Sequence, residues 1–171
     1  AHNKNRVEEL ADGDDILGTT YSNYGSGSIT IIREGEPLGA FYVYKDAGLD
    51  EKGSLSYVDM NGDGQYTDTE DRYIAGSPFP DFTYGLNCGF RYKNWDFNFF
   101  LQGSQGNDIF NGNLMEVKMG NTANIPVDAY NTRWTEANRA SAKWPKAVNS
   151  YERTMLISNR YVEDGSYLKL K

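Results

Sequence analysis

Only one cysteine and one histidine occur in 171 residues, and those two scarcities remove much of the chemistry a chain of this size can carry. The single thiol, Cys88, excludes an internal disulfide, and a thiolate or imidazole metal site needs several such ligands at set spacing. Serine or cysteine nucleophiles would depend on His2 alone, and a lone histidine near the beginning of the sequence reads as solvated. No run of 18 or more apolar residues is present and the first residues lack a charged-then-apolar pattern, so neither a membrane helix nor a targeting peptide is expected. A membrane β-barrel stays open, because alternating lipid-facing and lumen-facing residues give little hydropathy signal and tolerate a mean hydropathy of −0.68. Basic residues are also short: 17 against 24 acidic ones leave a formal charge of −7. That balance repels phosphate backbones and argues against nucleic-acid binding. The clustered carboxylates read better as cation binding or solvation than as a glycoside-cleaving pair, so no enzyme is expected.

Apolar residues make up 39% of the chain, below the usual share of roughly 45–50%, yet aromatics reach 14% with 13 Tyr and 8 Phe. Apolar content is therefore concentrated in rings, which fit pleated, half-buried surfaces. Little Ala and Leu together with 18 Gly weaken any case for a helical bundle. An all-β chain with long polar loops is the expectation, and the length favours one domain over two.

Along the chain, the segment 1–38 reads as loop plus one short strand at Ser28-Ile29-Thr30-Ile31-Ile32. Gly39-Ala40-Phe41-Tyr42-Val43-Tyr44 reads as a strand closed by a turn at Lys45-Asp46-Ala47-Gly48. The strongest period lies between Phe82 and Leu101. Phe82, Tyr84, Leu86, Cys88, Phe90 and Tyr92 alternate with small or polar residues, Lys93-Asn94 interrupts, and Trp95, Phe97, Phe99 and Leu101 alternate again. A period of two on each side of a two-residue break predicts a β-hairpin, with Cys88 as a small packed strand residue. Its arms of about nine to eleven residues match a tilted strand crossing a bilayer. Beyond Gln102-Gly103-Ser104-Gln105-Gly106-Asn107-Asp108 the pattern is irregular, with one short helix expected over Val127 to Ala140 between Pro126 and Pro145. Trp134 and Trp144 are candidate anchors, with sugar or lipid contact and ordinary packing both open for them and for Tyr130. At the end, a turn at Asp164-Gly165 leads into another alternating run from Tyr167.

The spacing Asp59-x-Asn61-x-Asp63-Gly64 matches positions 1, 3, 5 and 6 of an EF-hand loop, where oxygen side chains converge and glycine makes the sharp bend. Gln65 then offers its backbone carbonyl at position 7, Thr67 its oxygen at position 9, and Glu70 a bidentate carboxylate at position 12. Asp71 competes for that last role. Calcium is the expected ion; the alternative is an Asx-rich turn that holds no metal. The flanks, Leu55-Ser56-Tyr57-Val58 and Arg72-Tyr73-Ile74-Ala75-Gly76, read as strands or turns instead of helices, which predicts a structural staple and no sensor.

Several stretches, in order, resemble the C-terminal part of the SusC-like (SusC/RagA) TonB-dependent outer-membrane transporters. They are Asn3-Lys4-Asn5, the run from Glu36 to Tyr44, the Tyr57 to Gly64 loop, Asp71 to Pro78, Pro80 to Gly85, Phe99 to Gly103, Gly106-Asn107-Asp108, Arg133-Trp134-Thr135 and Asp164 to Lys171. The resemblance implies that this segment supplies C-terminal strands and their extracellular loops to a large plugged barrel of about 22 strands, with the plug and the last strands expected outside residues 1–171. It further implies import of oligosaccharides, or peptides in some members, with a SusD-like surface lipoprotein as lid, TonB acting through other parts of the parent, and outer-membrane lipid around the wall. One departure stands out. Asp71-Arg72 lies one residue further from Gly64 than in the commonest family loop, leaving Glu70 or Asp71 open as last ligand. The rival reading is a secreted, calcium-stabilised β domain for glycan binding or adhesion.

Overall fold

The computed structural model describes residues 1–18, 20, 27–119, 124–147 and 155–171, with residues 116–119 described by their backbone alone. Antiparallel strands dominate, as the ring-rich composition predicts, and they divide into a long protruding sheet and a packed body of loops and short strands.

The predicted hairpin forms from β7, Phe82–Tyr92, and β8, Trp95–Gln105, in unbroken register from Phe82 opposite Gln105 to Tyr92 opposite Trp95. Lys93 takes the positive φ of 53° that a two-residue turn demands at its first position. Each arm is eleven residues, so the ribbon is about 36 Å long. β11, Tyr167–Leu170, adds antiparallel to the other side of β8, with Leu168 opposite Gly103 and Leu170 opposite Leu101. Ala1 lies along the outer edge of β7, exchanging bonds with Thr83, and His2 bridges Phe82. His2 therefore sits in a strand pairing.

The packed body begins where the hairpin arms end. Its main sheet has the order β1-β2-β3-β6, from Ile16–Leu17, Thr30–Ile32, Ala40–Tyr44 and Arg72–Gly76. All five residues of β3 are buried, which is why that run reads as continuously apolar. Phe41, Val43 and Tyr44 pack with Leu55, Tyr57, Met115, Met155, Ile157 and Tyr161, while Ala40 and Tyr42 pack with Ile31 and Ile74. The Tyr57 hydroxyl accepts from the Leu156 amide at 2.8 Å, and Arg160 pairs with Asp46 at 2.9 Å. Burial pushes the Tyr57 and Tyr161 hydroxyls above their usual ionisation range.

Four local expectations are corrected. The segment Lys45-Asp46-Ala47-Gly48 is not a closing turn: Asp46–Leu49 is β4, paired through a register shift with β5, Leu55–Tyr57. The turn lies further on, where the Asp50 carboxylate accepts from the Lys52 and Ser54 amides. The segment 1–38 holds a second strand, β1, on the edge of β2. The region from Asp108 on is more regular than its composition suggests. β9 (Asp108–Phe110) pairs with β10 (Val162–Asp164), and α1 (Gly112–Met119) follows. Finally, the helix after Pro126 stops early: α2 is Val127–Thr132. Arg133 is extended, and the Asn138 side chain caps the next turn by accepting from the Thr135 amide and donating to the Arg133 carbonyl.

Candidate functional site

The acidic loop connects β5 to β6, so both of its ends are fixed by sheet pairing and no helix flanks it. Within it, short side chains fold back onto the backbone. The Asp59 carboxylate accepts from the Gly62 and Gly64 amides at 2.6 and 2.7 Å, Asn61 Oδ1 accepts from the Asp63 amide, and Asp63 Oδ1 accepts from the Gln65 amide. Gly62 and Gly64 take φ of 78° and 80°, a backbone state that glycine enters without steric penalty.

The two candidate last ligands are placed very differently. Asp71 is fully buried, and its carboxylate accepts from the Thr67 amide at 2.7 Å and the Met60 amide at 2.8 Å. These donors, Thr67 first, outweigh burial and hold its carboxyl below the ordinary 3.8. Glu70 is exposed and accepts from the Asn61 amide group at 2.9 Å. Asp71 thus closes the loop from its buried side through two backbone amides, while Glu70 meets it from the solvent side through Asn61.

Behind the loop lies a brace that the sequence reading did not include. Strand alternation turns Arg72 away from the loop as it turns Asp71 inward. The Arg72 guanidinium donates to the Ser28 carbonyl and to Asp68, the Tyr44 hydroxyl donates to the same Asp68 oxygen at 2.7 Å, and the cation lies 5.0 Å from the Tyr44 ring centroid. Asp68 and Arg72 stand four residues apart, which was the available signal. All of the loop's ligand candidates are oxygens, the donor class of a hard cation. Among the described residues, no three of Asp, Glu, His and Cys gather closely enough to hold an ion without amide, hydroxyl or carbonyl help.

The second feature is the β11-β8-β7 sheet. Register puts Tyr84, Leu86, Cys88, Phe90, Tyr92, Trp95, Phe97, Phe99, Leu101, Leu168 and Leu170 on one face. The other carries Thr83, Asn87, Arg91, Asp96, Asn98, Gln102, Ser104 and Lys169, with Phe100 its one large apolar residue below Tyr167. The apolar face has no cover within the described residues. Leu86 is 53% exposed, Phe90 60% and Trp95 76%. Water would penalise such a face by about 25 cal/mol for each Å².

No family model matches the sequence. Curated relatives do. TonB-dependent receptor P3 of Formosa agariphila is 36% identical over all of this chain, and TonB-dependent receptor P26 of the same species is 32% identical over 99% of it. TonB-dependent receptor SusC of Bacteroides thetaiotaomicron is 33% identical over 63% of it. The chain belongs to the SusC/RagA-like TonB-dependent receptors. It spans about 18% of the length of the first two relatives. The fold agrees: 97% of the chain superposes on 18% of a chain in the RagAB peptide transporter with a TM-score of 0.68 at 23% identity. TonB-dependent receptors are outer-membrane proteins, and these matches are to receptors and transporters, not to enzymes.

In this receptor segment the aromatic anchors turn out to be packing elements. A side chain at Gly53 would run into the Trp134 ring, Arg139 lies over that ring at 5.7 Å, and Trp144 packs on the core beneath Arg160. Tyr130 is exposed on α2. Cys88 sits half-buried in the apolar face of the sheet.

Proposed function

We propose that residues 1–171 supply wall strands and outer loops to a large plugged barrel, of the kind with about 22 strands. The barrel imports oligosaccharides or peptides across the outer membrane. In this reading the apolar face of β11-β8-β7 meets lipid and the polar face meets the lumen. The Lys93-Asn94 turn lies on the periplasmic side, and the packed body stands outside the cell beneath a SusD-like lipoprotein lid. TonB acts through parts of the parent beyond this segment, as do the plug and remaining strands. Calcium pins the loop through Asp59, Asn61, Asp63, the Gln65 carbonyl and Thr67, with Asp71 closer to the interior than Glu70; it would act as a staple, stabilising the folded loop by mass action.

The observation that carries the proposal is the uncovered face itself. A ribbon about 36 Å long with aromatic residues at its turn end and apolar residues along one side satisfies a bilayer, whereas a secreted domain would leave it in water. The two faces make the test. In the full-length receptor, Leu86→Arg places a cation in lipid at a cost of about 2–4 kcal/mol near the midplane, while Asn87→Arg on the neighbouring residue points into the lumen. Leu86→Arg is expected to deplete the receptor from outer-membrane fractions and to abolish uptake of labelled oligosaccharide or peptide pools, and Asn87→Arg is expected to leave assembly intact. Equal tolerance of both would remove the basis for a lipid face.

A further inference from the structure

The hairpin turn holds a residue that its backbone does not favour. Lys93 is the one residue other than glycine with a positive φ among the described residues, at 53°. Glycine, asparagine and aspartate are the usual occupants of such a turn position, because a longer side chain crowds its own backbone there. A lysine standing in their place points to a use for its cation.

Charge pairing separates the two cations at this end of the ribbon. Arg91 lies on the polar face and donates to Asp96 at 2.6 Å, so it is neutralised within the sheet. Lys93 has no carboxylate partner among the described residues. Its ammonium lies 5.3 Å from the centroid of the Tyr92 ring, and Tyr92 belongs to the apolar face. Tyr92 stands directly opposite Trp95 on that face, and both are exposed. Neither the Tyr92 hydroxyl nor the Trp95 indole N–H has a hydrogen-bond partner among the described residues. Three donors without acceptors therefore stand on the apolar side of one turn, on the opposite face from the Arg91 and Asp96 pair.

We propose that this end of the hairpin is a seat for the phosphate of an anionic phospholipid in the inner leaflet, with Lys93 as the cation and Tyr92 and Trp95 as flanking donors. The proposal rests on the membrane-wall reading above, in which the apolar face meets lipid and the turn is periplasmic. Rings with polar tips settle at the level of the lipid headgroups. A lysine at the end of a spanning element extends its ammonium to the same level while its stem stays against apolar surface. At that depth the phosphate supplies both the counter-charge that Lys93 lacks and the acceptor oxygens that the two rings lack.

The test compares the full-length receptor in nanodiscs of phosphatidylcholine alone with nanodiscs that also contain phosphatidylglycerol. Hydrogen exchange of peptides covering residues 90–97 reads the turn directly. Phosphatidylglycerol is expected to slow exchange there about fivefold, the factor that one basic residue contributes near an anionic surface. Lys93→Asn, which the turn accepts, is expected to assemble normally and to lose the difference between the two lipids. Lys93→Arg keeps the charge and should keep the difference, and so should Arg91→Gln, whose side chain is on the other face. Equal exchange in both lipids, a lipid difference that survives Lys93→Asn, or one lost just as fully in Arg91→Gln would overturn the proposal. Protection by inorganic phosphate in detergent would overturn it too, since the ligand would then be a free anion. All of these receptors already span a bilayer, so none of these outcomes bears on the lipid face itself, which Leu86→Arg tests separately.

Discussion

Asp71 rather than Glu70 should be the carboxylate on which the acidic loop closes, and the two can be separated by neutral substitutions. Asp71→Asn keeps the shape but has one acceptor oxygen for two strong donors, the Thr67 and Met60 amides. One bond to a charged group is lost and one buried N–H is left facing an amide group, which costs about 2–4 kcal/mol in total. Opening of the loop should then become roughly 30- to 700-fold more frequent, at a factor of ten for each 1.4 kcal/mol. Glu70→Gln removes charge from an exposed residue with a single side-chain partner, and should change opening by about twofold or less. Hydrogen exchange of residues 59–71 in the full-length receptor, with chelator present, reads both variants directly. The reasoning fails if Glu70→Gln opens the loop as much as Asp71→Asn does, or if Asp71→Asn leaves exchange unchanged. The same assay has a pH arm. The folded Asp71 carboxyl lies below its ordinary 3.8, so its contribution is complete above that value and disappears as pH falls through the lower, folded one. Loop protection from Asp71 should therefore be level from neutral to about pH 5 and be lost only in stronger acid.

Two further outcomes are expected. Calorimetry on the full-length receptor should show calcium binding that Asp59→Ala weakens by at least about tenfold, a loss of 1.4 kcal/mol, whereas unchanged binding would return the loop to an Asx-rich turn without metal. Gly103→Ala should lower the temperature at which the folded receptor loses its heat-modifiable mobility on gels, because the new methyl group runs into the Tyr84 ring and lies 2.6 Å from the Tyr167 carbonyl. Such overpacking costs about 1–3 kcal/mol, and an unshifted transition would show that the strands can move apart there.

Much of the sheet was legible because its signal is local. From Phe82 to Leu101 every second residue is apolar, and one two-residue break supplies the turn, so pattern and pairing coincide. The run that became β3 was legible as an aromatic and β-branched stretch, while those that became β5 and β6 read only as strands or turns. What failed depends on a pairing partner and not on the segment's own composition. Asp46–Leu49 has turn composition, yet it is a strand because Leu55–Tyr57 lies beside it. Asp108–Phe110 becomes a strand only through Val162–Asp164. α1 begins at a glycine and shows no apolar stripe, although the Asn111 cap was there to be read. In the loop, spacing placed Asp59, Asn61, Asp63, Gln65 and Thr67 on one turn but could not tell Glu70 from Asp71. What separates them in the structure is burial: Asp71 lies inside, bonded to the Thr67 and Met60 amides, while Glu70 is exposed.

The pairing of Tyr57 with Leu156 spans 99 residues and that of Asp46 with Arg160 spans 114, which gives the two halves of the molecule different histories. Hairpin partners are neighbours in sequence, so β7 and β8 can zip as soon as both exist. The core around Phe41, Val43 and Tyr57 has no lid until Met155, Ile157 and Tyr161 arrive. Closing so long a loop costs entropy that no earlier contact repays. The ribbon can therefore complete early, while the packed body locks last, with residues 155–161 as its final stitch.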